Sequence, residues 1–575
     1  MTTTHSEWLI DKREAVAEHG MVTAMHPLAA AAGLAMLQTG GNAVDAAVAT
    51  AFAIGVVEPF MSGVGGVAAM VIYSPLTGRA IVVDGSSAAP ASAREDMFEL
   101  APESSVGGMY SWRGTVGDAQ NTGYRAPVVP GQPACLLYAH EHHGSGQLSR
   151  EQVMAPAIRL AEEGFAVDPY QAQTIAFAQR RLRAFPEAMR TFFLDDGLPP
   201  VPTTSTREAD RLVQPDLART LKDLAANGPS VLYQGEVGDR LVEDLQAHGG
   251  LITREDLATY ALREYSPLRT EYRGHELLGL SVTSGSMTAF EALNILDNFD
   301  LQGVDLPGAM HLIAEALRRA FLDRFAYLAD TDLQEVPVEG LLSADYARFI
   351  AAQIQRERAD PIARAGDPWR FQAAPIGVVS ATGSSAGGDG CTTHLNVVDA
   401  DRTMVACTST LGELFGSAVI PRGTGIVLNN GMTWFDPEPG HVNSIRSRKR
   451  TLWAPTPTLV LRDGQPLMAI GAPGGRRIIS ALVQSLVNVI DFGLGVQASV
   501  TRPRIHCEGA TTEVDGRSSP AVVEALRTWG HTVKLQHEHE SSFRFARPGG
   551  IRIDSERGQL TGGVHQFTPA WALGY

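Results

Sequence analysis

Gly390-Cys391-Thr392-Thr393-His394-Leu395-Asn396-Val397-Val398-Asp399 is the stretch on which the reading of this chain turns. Just before it comes Val379-Ser380-Ala381-Thr382-Gly383-Ser384-Ser385-Ala386-Gly387-Gly388-Asp389-Gly390. A Gly/Ser/Ala run of that kind has almost nothing to bury and is expected to be loosely held. It then gives way to an alternating, β-branched pattern that predicts a strand, and the strand opens on two threonines. Taken alone, Thr-Thr-His is an ordinary way to start a strand. A hydroxyl at the junction of a loose segment and a strand is nevertheless placed for backbone cleavage. Its Oγ can attack the preceding carbonyl, and the cut leaves a threonine whose own α-amine can act as general base.

The wider stretch resembles the γ-glutamyltransferase family of N-terminal nucleophile (Ntn) hydrolases. In that family the catalytic threonine lies two residues before a histidine and opens a strand ending in Val-Val-Asp. A second strand follows after a short turn, as Met404-Val405-Ala406-Cys407-Thr408-Ser409-Thr410 does here. The resemblance makes Thr392 the nucleophile and Cys391–Thr392 the processed bond, with Thr393 as the rival. It implies one precursor giving a large subunit, residues 1–391 ending in the linker 379–391, and a small subunit, residues 392–575. It further implies an α+β fold, a four-layer αββα sandwich formed jointly by both subunits. The sequence agrees in having helix-rich and strand-rich segments, but it does not by itself show the layering.

The resemblance runs from about residue 18 to Tyr575. Gly40-Gly41-Asn42-Ala43-Val44-Asp45-Ala46-Ala47 is a signature of the family, and its Asn42 reads as a helix N-cap with Asp45 in the first turn. Glu58-Pro59 followed by Gly63-Val64-Gly65-Gly66 is another. The glycines could suggest a phosphate loop, but there is no Walker lysine and no GxGxxG order. Capping boxes at Ser149–Gln152 and Thr253–Asp256 open two helices, the first running Val153 to Gly164 with that glycine as its cap. Helical spacing recurs over Glu291–Asp297 and Met310–Leu328. These elements read as scaffold, and residues 102–126 as a polar, Gly-rich loop at a rim.

An N-terminal threonine hydrolase needs a hydroxyl, a base within reach and donors for the oxyanion. Thr392 would supply the first two after cleavage, since a free α-amine titrates near pH ~8. The donors implied by the resemblance are the N–H groups of Gly474 and Gly475, in Gly471-Ala472-Pro473-Gly474-Gly475-Arg476-Arg477-Ile478-Ile479. Glycine lets backbone approach a ligand closely, and the helix that follows would present its N-terminus at the same spot. Thr410 matches a family threonine that hydrogen-bonds the nucleophile. His394 shares a strand face with Thr392 and reads as a packing histidine.

The acyl pocket departs from the family. Ser86 stands where an arginine usually holds the α-carboxylate of the glutamyl group. Gly412 replaces an asparagine, Gly431 and Trp434 replace the amide or acid and the aspartate that bind the amine, and Trp453 and Ala454 replace a serine pair. An ammonium and a carboxylate each need a partner when desolvated, so unmodified γ-glutamyl should bind poorly. Two tryptophans and the room left by glycine would suit a flatter or more apolar acyl group. Arg422, Arg450, Arg476 and Arg477 stay open as anchors for a carboxylate.

The chain has 575 residues and a formal charge of −16, from 47 Lys and Arg against 63 Asp and Glu. That balance argues against partners such as nucleic acid or an anionic membrane. Cys135, Cys391, Cys407 and Cys507 form no CxxC pair, and the histidines show no ligand spacing, so neither a metal nor another cofactor is expected. The first residues lack a basic-then-apolar layout, and the apolar run Ala43–Phe60 is broken by Asp45 and Glu58, so the expected location is cytoplasmic.

The leading expectation is a self-cleaving amide hydrolase or acyltransferase. Its substrate is a small-molecule amide, its acceptor water or an amine, and its acyl group is not unmodified γ-glutamyl. The two fragments are expected to stay associated, and any higher oligomer is open. The alternatives are a true γ-glutamyltransferase or glutathione hydrolase, a hydrolase of a carbon–carbon bond in a biosynthetic pathway, and an unprocessed binding protein.

Overall fold

A computed structural model of the chain describes residues 10–372 and 390–575, apart from positions 104, 109, 111, 541 and 543. Most of the segment expected to be loosely held, 379–389, lies outside the described residues.

Two seven-stranded sheets form the centre. The first runs Trp571–Gly574, Met21–Ala24, Cys391–Val398, Met404–Gly412, Val67–Ser74, Arg79–Gly85, Arg263–Tyr265 in spatial order. The second runs Ala15–Ala17, Gln559–Val564, Gly549–Asp554, Gln465–Gly471, Thr458–Arg462, His275–Gly279, Leu268–Tyr272. Every neighbouring pair in both is antiparallel. Both sheets therefore mix strands from before and after the Cys391–Thr392 bond.

Three apolar layers hold the four structural layers together. Helices Pro27–Gln38, Ala43–Val57 and Gln132–His143 pack on the outer face of the first sheet through Ala68, Met70 and Ile72. The alternate residues of the same strand, Val67, Ala69, Val71 and Tyr73, meet Leu459, Leu461, Ala469, Ile551 and Ile553 between the sheets. Strand side chains alternate with period two, so one strand feeds both cores. Helices Ser286–Leu296, Leu306–Tyr327 and Arg477–Ile490 cover the second sheet in a third core. This is the expected αββα sandwich.

Local chemistry explains the helix starts. Asn42 Oδ1 accepts from the N–H groups of Val44 and Asp45, while Asp45 Oδ2 accepts from the Asn42 N–H. Ser149 with Gln152, and Thr253 with Asp256, form the same reciprocal pairs. Gly164 caps its helix with φ 71°, a conformation glycine adopts without strain.

At one end the inner face of the first sheet turns polar. His394, Asn396 and Thr408 are buried there. Asn396 Nδ2 donates to Thr23 Oγ1 and to the Gly549 carbonyl, each at 3.0 Å, so its Oδ1 is left to accept from His394 Nε2 at 3.0 Å. His394 Nδ1 then accepts from Thr408 Oγ1 at 2.9 Å. The opposite strand makes room with Gly471, where a Cβ would fall 2.3 Å from His394 Cε1. His394 is thus a packed, neutral imidazole, as read from the sequence.

Burial pushes His394 down to about 4, and His531 likewise. A histidine whose folded pKa is depressed stabilises the fold above the unfolded value near ~6.5, and that stability is lost as pH falls toward the folded value. The loss of stability between pH 7 and pH 5 should therefore be smaller in His394→Gln than in the native chain by on the order of 2 kcal/mol, a comparison in which the opposite pull of Glu58, raised by burial to about 8, cancels. An equal loss in the two proteins, measured in denaturant titrations, would contradict the buried neutral imidazole.

Candidate active site

Thr392 sits at the second position of the strand Cys391–Val398, where the pairing register with Met404–Gly412 shifts between Cys391 and Thr393. It is 4% exposed. Its Oγ1 donates to Thr410 Oγ1 at 3.2 Å. Thr410 Oγ1 in turn donates to the Cys391 carbonyl at 2.6 Å and accepts from the Gly412 N–H at 2.9 Å. One hydroxyl has one donor and two acceptor sites, and here all three are used. Thr410 therefore touches both the hydroxyl and the carbonyl that a self-cleavage step would join.

Thr393 belongs to the other face of the strand, with Leu395 and Val397 toward the helices. Its Oγ1 is buried and has no hydrogen-bond partner among the described residues.

A small cavity of about 10 Å³, roughly the room one water needs, lies over Thr392. Met61, Gly390, Pro473, Gly474, Phe545 and Arg547 line it with Thr392. Gly474 has φ 137°, and a Cβ there would stand 2.6 Å from Ala546 Cα. Gly475 has φ 59° and precedes the helix Arg477–Ile490. The strand-to-helix turn thus needs two glycines, and it brings backbone to the Thr392 cavity. Gly66 plays the matching part below, since a Cβ there would lie 2.5 Å from the Thr410 carbonyl oxygen.

A larger cavity of about 610 Å³ lies at the far end of the Thr392 strand, lined among others by Gly41, Asn42, His142, Asp399 and Asp401. It holds none of the candidate catalytic residues.

Trp434, Trp453 and Ala454 come together in the buried layer between the sheets, with the two indole rings 6.2 Å apart. The room expected at Gly431 is filled, because a Cβ there would fall 2.3 Å from Val128 Cγ2 and 2.8 Å from the Trp434 ring. Gly412 accommodates Asn430, whose Oδ1 would stand 2.2 Å from a Cβ at that site. Ser86 follows the strand Arg79–Gly85 and lies beside Arg450 and Tyr260, which donate to its carbonyl at 3.4 and 3.1 Å. Its Oγ is buried with no partner among the described residues.

Of the four arginines, Arg422 is exposed, Arg450 reaches carbonyls, and Arg477 pairs with Glu513 at 2.8 Å. Arg476 is 4% exposed and bidentate to Glu508, with Nε–Oε2 at 2.7 Å and Nη2–Oε1 at 3.0 Å. The rings of Tyr110, Trp112 and Phe325 surround its guanidinium, with centroids at 4.7, 5.8 and 5.3 Å. Tyr110 and Trp112 come from the 102–126 segment read as a rim loop, which forms a small hairpin here. Neither they nor Arg324 and Glu508 carry a motif or a spacing in the sequence.

Asp436, Glu438 and His441 converge within 4.8 Å. Protein partners already engage them: His441 Nδ1 is 2.7 Å from Asp436, and Arg113 is 3.3 Å from Glu438.

Residues 29–564 match the gamma-glutamyltranspeptidase family. The chain belongs to that family. It is 33% identical over 567 residues to a glutathione hydrolase proenzyme of Bacillus subtilis (strain 168), covering 98% of this chain and 92% of the relative. To the acylase ACY 1 proenzyme of Pseudomonas sp. (strain SE83) it is 37% identical over 534 residues, covering 92% and 89%. The fold superposes on a cephalosporin acylase from Bacillus halodurans with a TM-score of 0.85 at 28% identity, over 100% of this chain and 99% of that one. As a member of the gamma-glutamyltranspeptidase family, the chain is an Ntn hydrolase, a self-processing amidohydrolase or acyltransferase. No helix among the described residues is long and apolar enough to cross a membrane.

Proposed function

We propose that this chain cuts itself between Cys391 and Thr392, and that the freed Thr392 hydrolyses or transfers the acyl group of a small amide other than unmodified γ-glutamyl. The observation carrying this is the Thr392–Thr410–Cys391 hydrogen-bond relay. In the first step Thr392 Oγ attacks the Cys391 carbonyl, its proton passes to the Thr392 nitrogen, and the C–N bond breaks. Water then hydrolyses the ester, leaving a Cys391 carboxylate and a free Thr392 amine. Large (1–391) and small (392–575) fragments result, and their interleaved strands keep them together.

In turnover that amine takes the Oγ proton as the oxygen attacks a substrate carbonyl. The N–H groups of Gly474 and Gly475 serve as the oxyanion donors, and the departing amine leaves with the proton. Water or another amine then releases the acyl group from Thr392. Ser86, Gly412, Gly431, Trp434, Trp453 and Ala454 remain the proposed surroundings of that acyl group, with no room added at Gly431.

The test is mass spectrometry of the mature protein together with an amide panel. A fragment beginning at Thr392, and acyl anilides turned over faster than γ-glutamyl anilide, are expected. An intact chain that still turns over amides would sink the proposal. Brisk release of glutamate from glutathione would move it to the glutathione hydrolase reading. Gly474→Ala should lower kcat by about 10²-fold, because the added Cβ displaces the donor backbone against Ala546. An undiminished kcat would remove Gly474 from the oxyanion site.

A further inference from the structure

The turn over Thr392 is made of glycine, the residue with the least backbone preference of its own: φ is 137° at Gly474 and 59° at Gly475. Donors for a developing oxyanion work only when held within about 0.5 Å of their place. The hold must therefore come from outside the turn. On the entry side the Arg547 N–H donates to the Pro473 carbonyl at 3.0 Å. On the exit side two arginines follow at once, Arg476 as N-cap and Arg477 as the first residue of the helix Arg477–Ile490.

That is the adverse end of a helix for them, since its N-terminus already carries partial positive charge. Both charges are met from one element. A three-stranded sheet, Ile505–His506, Thr511–Asp515 and Thr532–Gln536, stands outside the two central sheets. Glu508, just after its first strand, takes Arg476 bidentately. Glu513, on its second strand, accepts from Arg477 Nη2 at 2.8 Å and Nε at 3.2 Å. All four groups are buried. Burial raises the Glu513 carboxyl, but Arg477, with His506 and Gln536, holds it below the usual carboxylate range. The third strand fixes Glu513 in turn, because Gln536 Nε2 donates to its Oε1 at 2.9 Å.

The same sheet is tied along the helix. Gln484 pairs with the Ile505 backbone through both its amide atoms, at 2.8 and 2.9 Å, and Ser480 Oγ lies 2.8 Å from His506 Nδ1. Ile505, Val514 and Leu526 share the third core with Ile479, Leu482 and Val483. The sheet is thus locked to the first two turns of the helix, and its two carboxylates grip the residues next to the glycines.

We infer that this sheet is the brace that aims the oxyanion donors, and that Glu513, acting through Arg477, is a positioning residue for the acyl-transfer step. The inference rests on the proposed Thr392 chemistry with Gly474 and Gly475 as donors. Glu513 is the better probe of the two glutamates, because Arg476 is also held among three aromatic rings.

Steady-state kinetics of the processed enzyme test this, with the acyl p-nitroanilide that native enzyme turns over fastest. Glu513→Gln keeps the shape and the hydrogen-bonding oxygen and removes the charge. It should lower kcat about tenfold with KM within twofold, as a small misplacement of a catalytic donor does. In a Gly474→Ala background, where the donor is already displaced, the same change should cost less than twofold. Should Glu513→Gln not fold, Glu513→Asp, which keeps the charge but draws it back from Arg477, decides by the same two comparisons. An unchanged kcat, a loss confined to KM, or an equal tenfold loss in both backgrounds overturns the inference while leaving the Thr392 chemistry standing. Absence of a fragment starting at Thr392 instead strikes the proposed function, and this inference with it.

Discussion

Thr392→Ala is expected to remain a single band of 61.4 kDa on a denaturing gel and to lose at least about 10⁴-fold in amide turnover. The substitution takes away the atom proposed to attack the Cys391 carbonyl and, later, the substrate carbonyl, so both readouts would depend on one oxygen. Folding should survive, because Thr392 Oγ1 makes one hydrogen bond, to Thr410, and no apolar contact is lost beyond a methyl group. Thr392→Ser should cut itself and turn over, since it keeps the hydroxyl. The same experiment separates the rival, for Thr393→Ala should process normally. A Thr392→Ala protein that still yields two fragments would place the cleavage elsewhere.

The second large effect is expected at Thr410. Thr410→Val keeps the shape and removes the hydroxyl, so the Cys391 carbonyl loses a donor at 2.6 Å, the Gly412 N–H loses its acceptor, and Thr392 Oγ1 loses its orienting partner. A carbonyl under attack develops negative charge, and a fixed donor on it lowers that barrier. Self-cleavage should slow by about 10³-fold in a time course of precursor loss, with a stability cost of about 1–3 kcal/mol from the buried polar groups left unpaired. Thr410→Ser should recover cleavage to within about tenfold. Cleavage of Thr410→Val at the wild-type rate would reduce the relay to a packing detail.

Much of the scaffold was legible because its signals are local. Asn42 with Asp45, Ser149 with Gln152 and Thr253 with Asp256 each place donor and acceptor three residues apart, and all three open helices as read. The strand pair holding Thr392 and Thr410 follows from alternation and a short turn, and its register brings the two hydroxyls together. The four layers themselves came from the family resemblance, since strand order is a long-range property. The buried cluster around Arg476 was poorly legible for the same reason. Tyr110, Arg324, Trp453, Arg476 and Glu508 are scattered over some four hundred positions, and only the packed fold gathers them. Gly431 shows the opposite error: a missing side chain reads as space, but Val128 and Trp434 occupy it.

The strand Cys391–Val398 lies third in its sheet, flanked by Met21–Ala24 on one side and Met404–Gly412 on the other. A scission at its second residue would create a new chain end without creating a loose part. Activation of this kind discards no propeptide that an inhibitor or a second protein could replace. It would proceed inside each molecule at a rate indifferent to dilution, and once made it could not be undone. The protein would carry its switch as a single-use event, timed by its own folding.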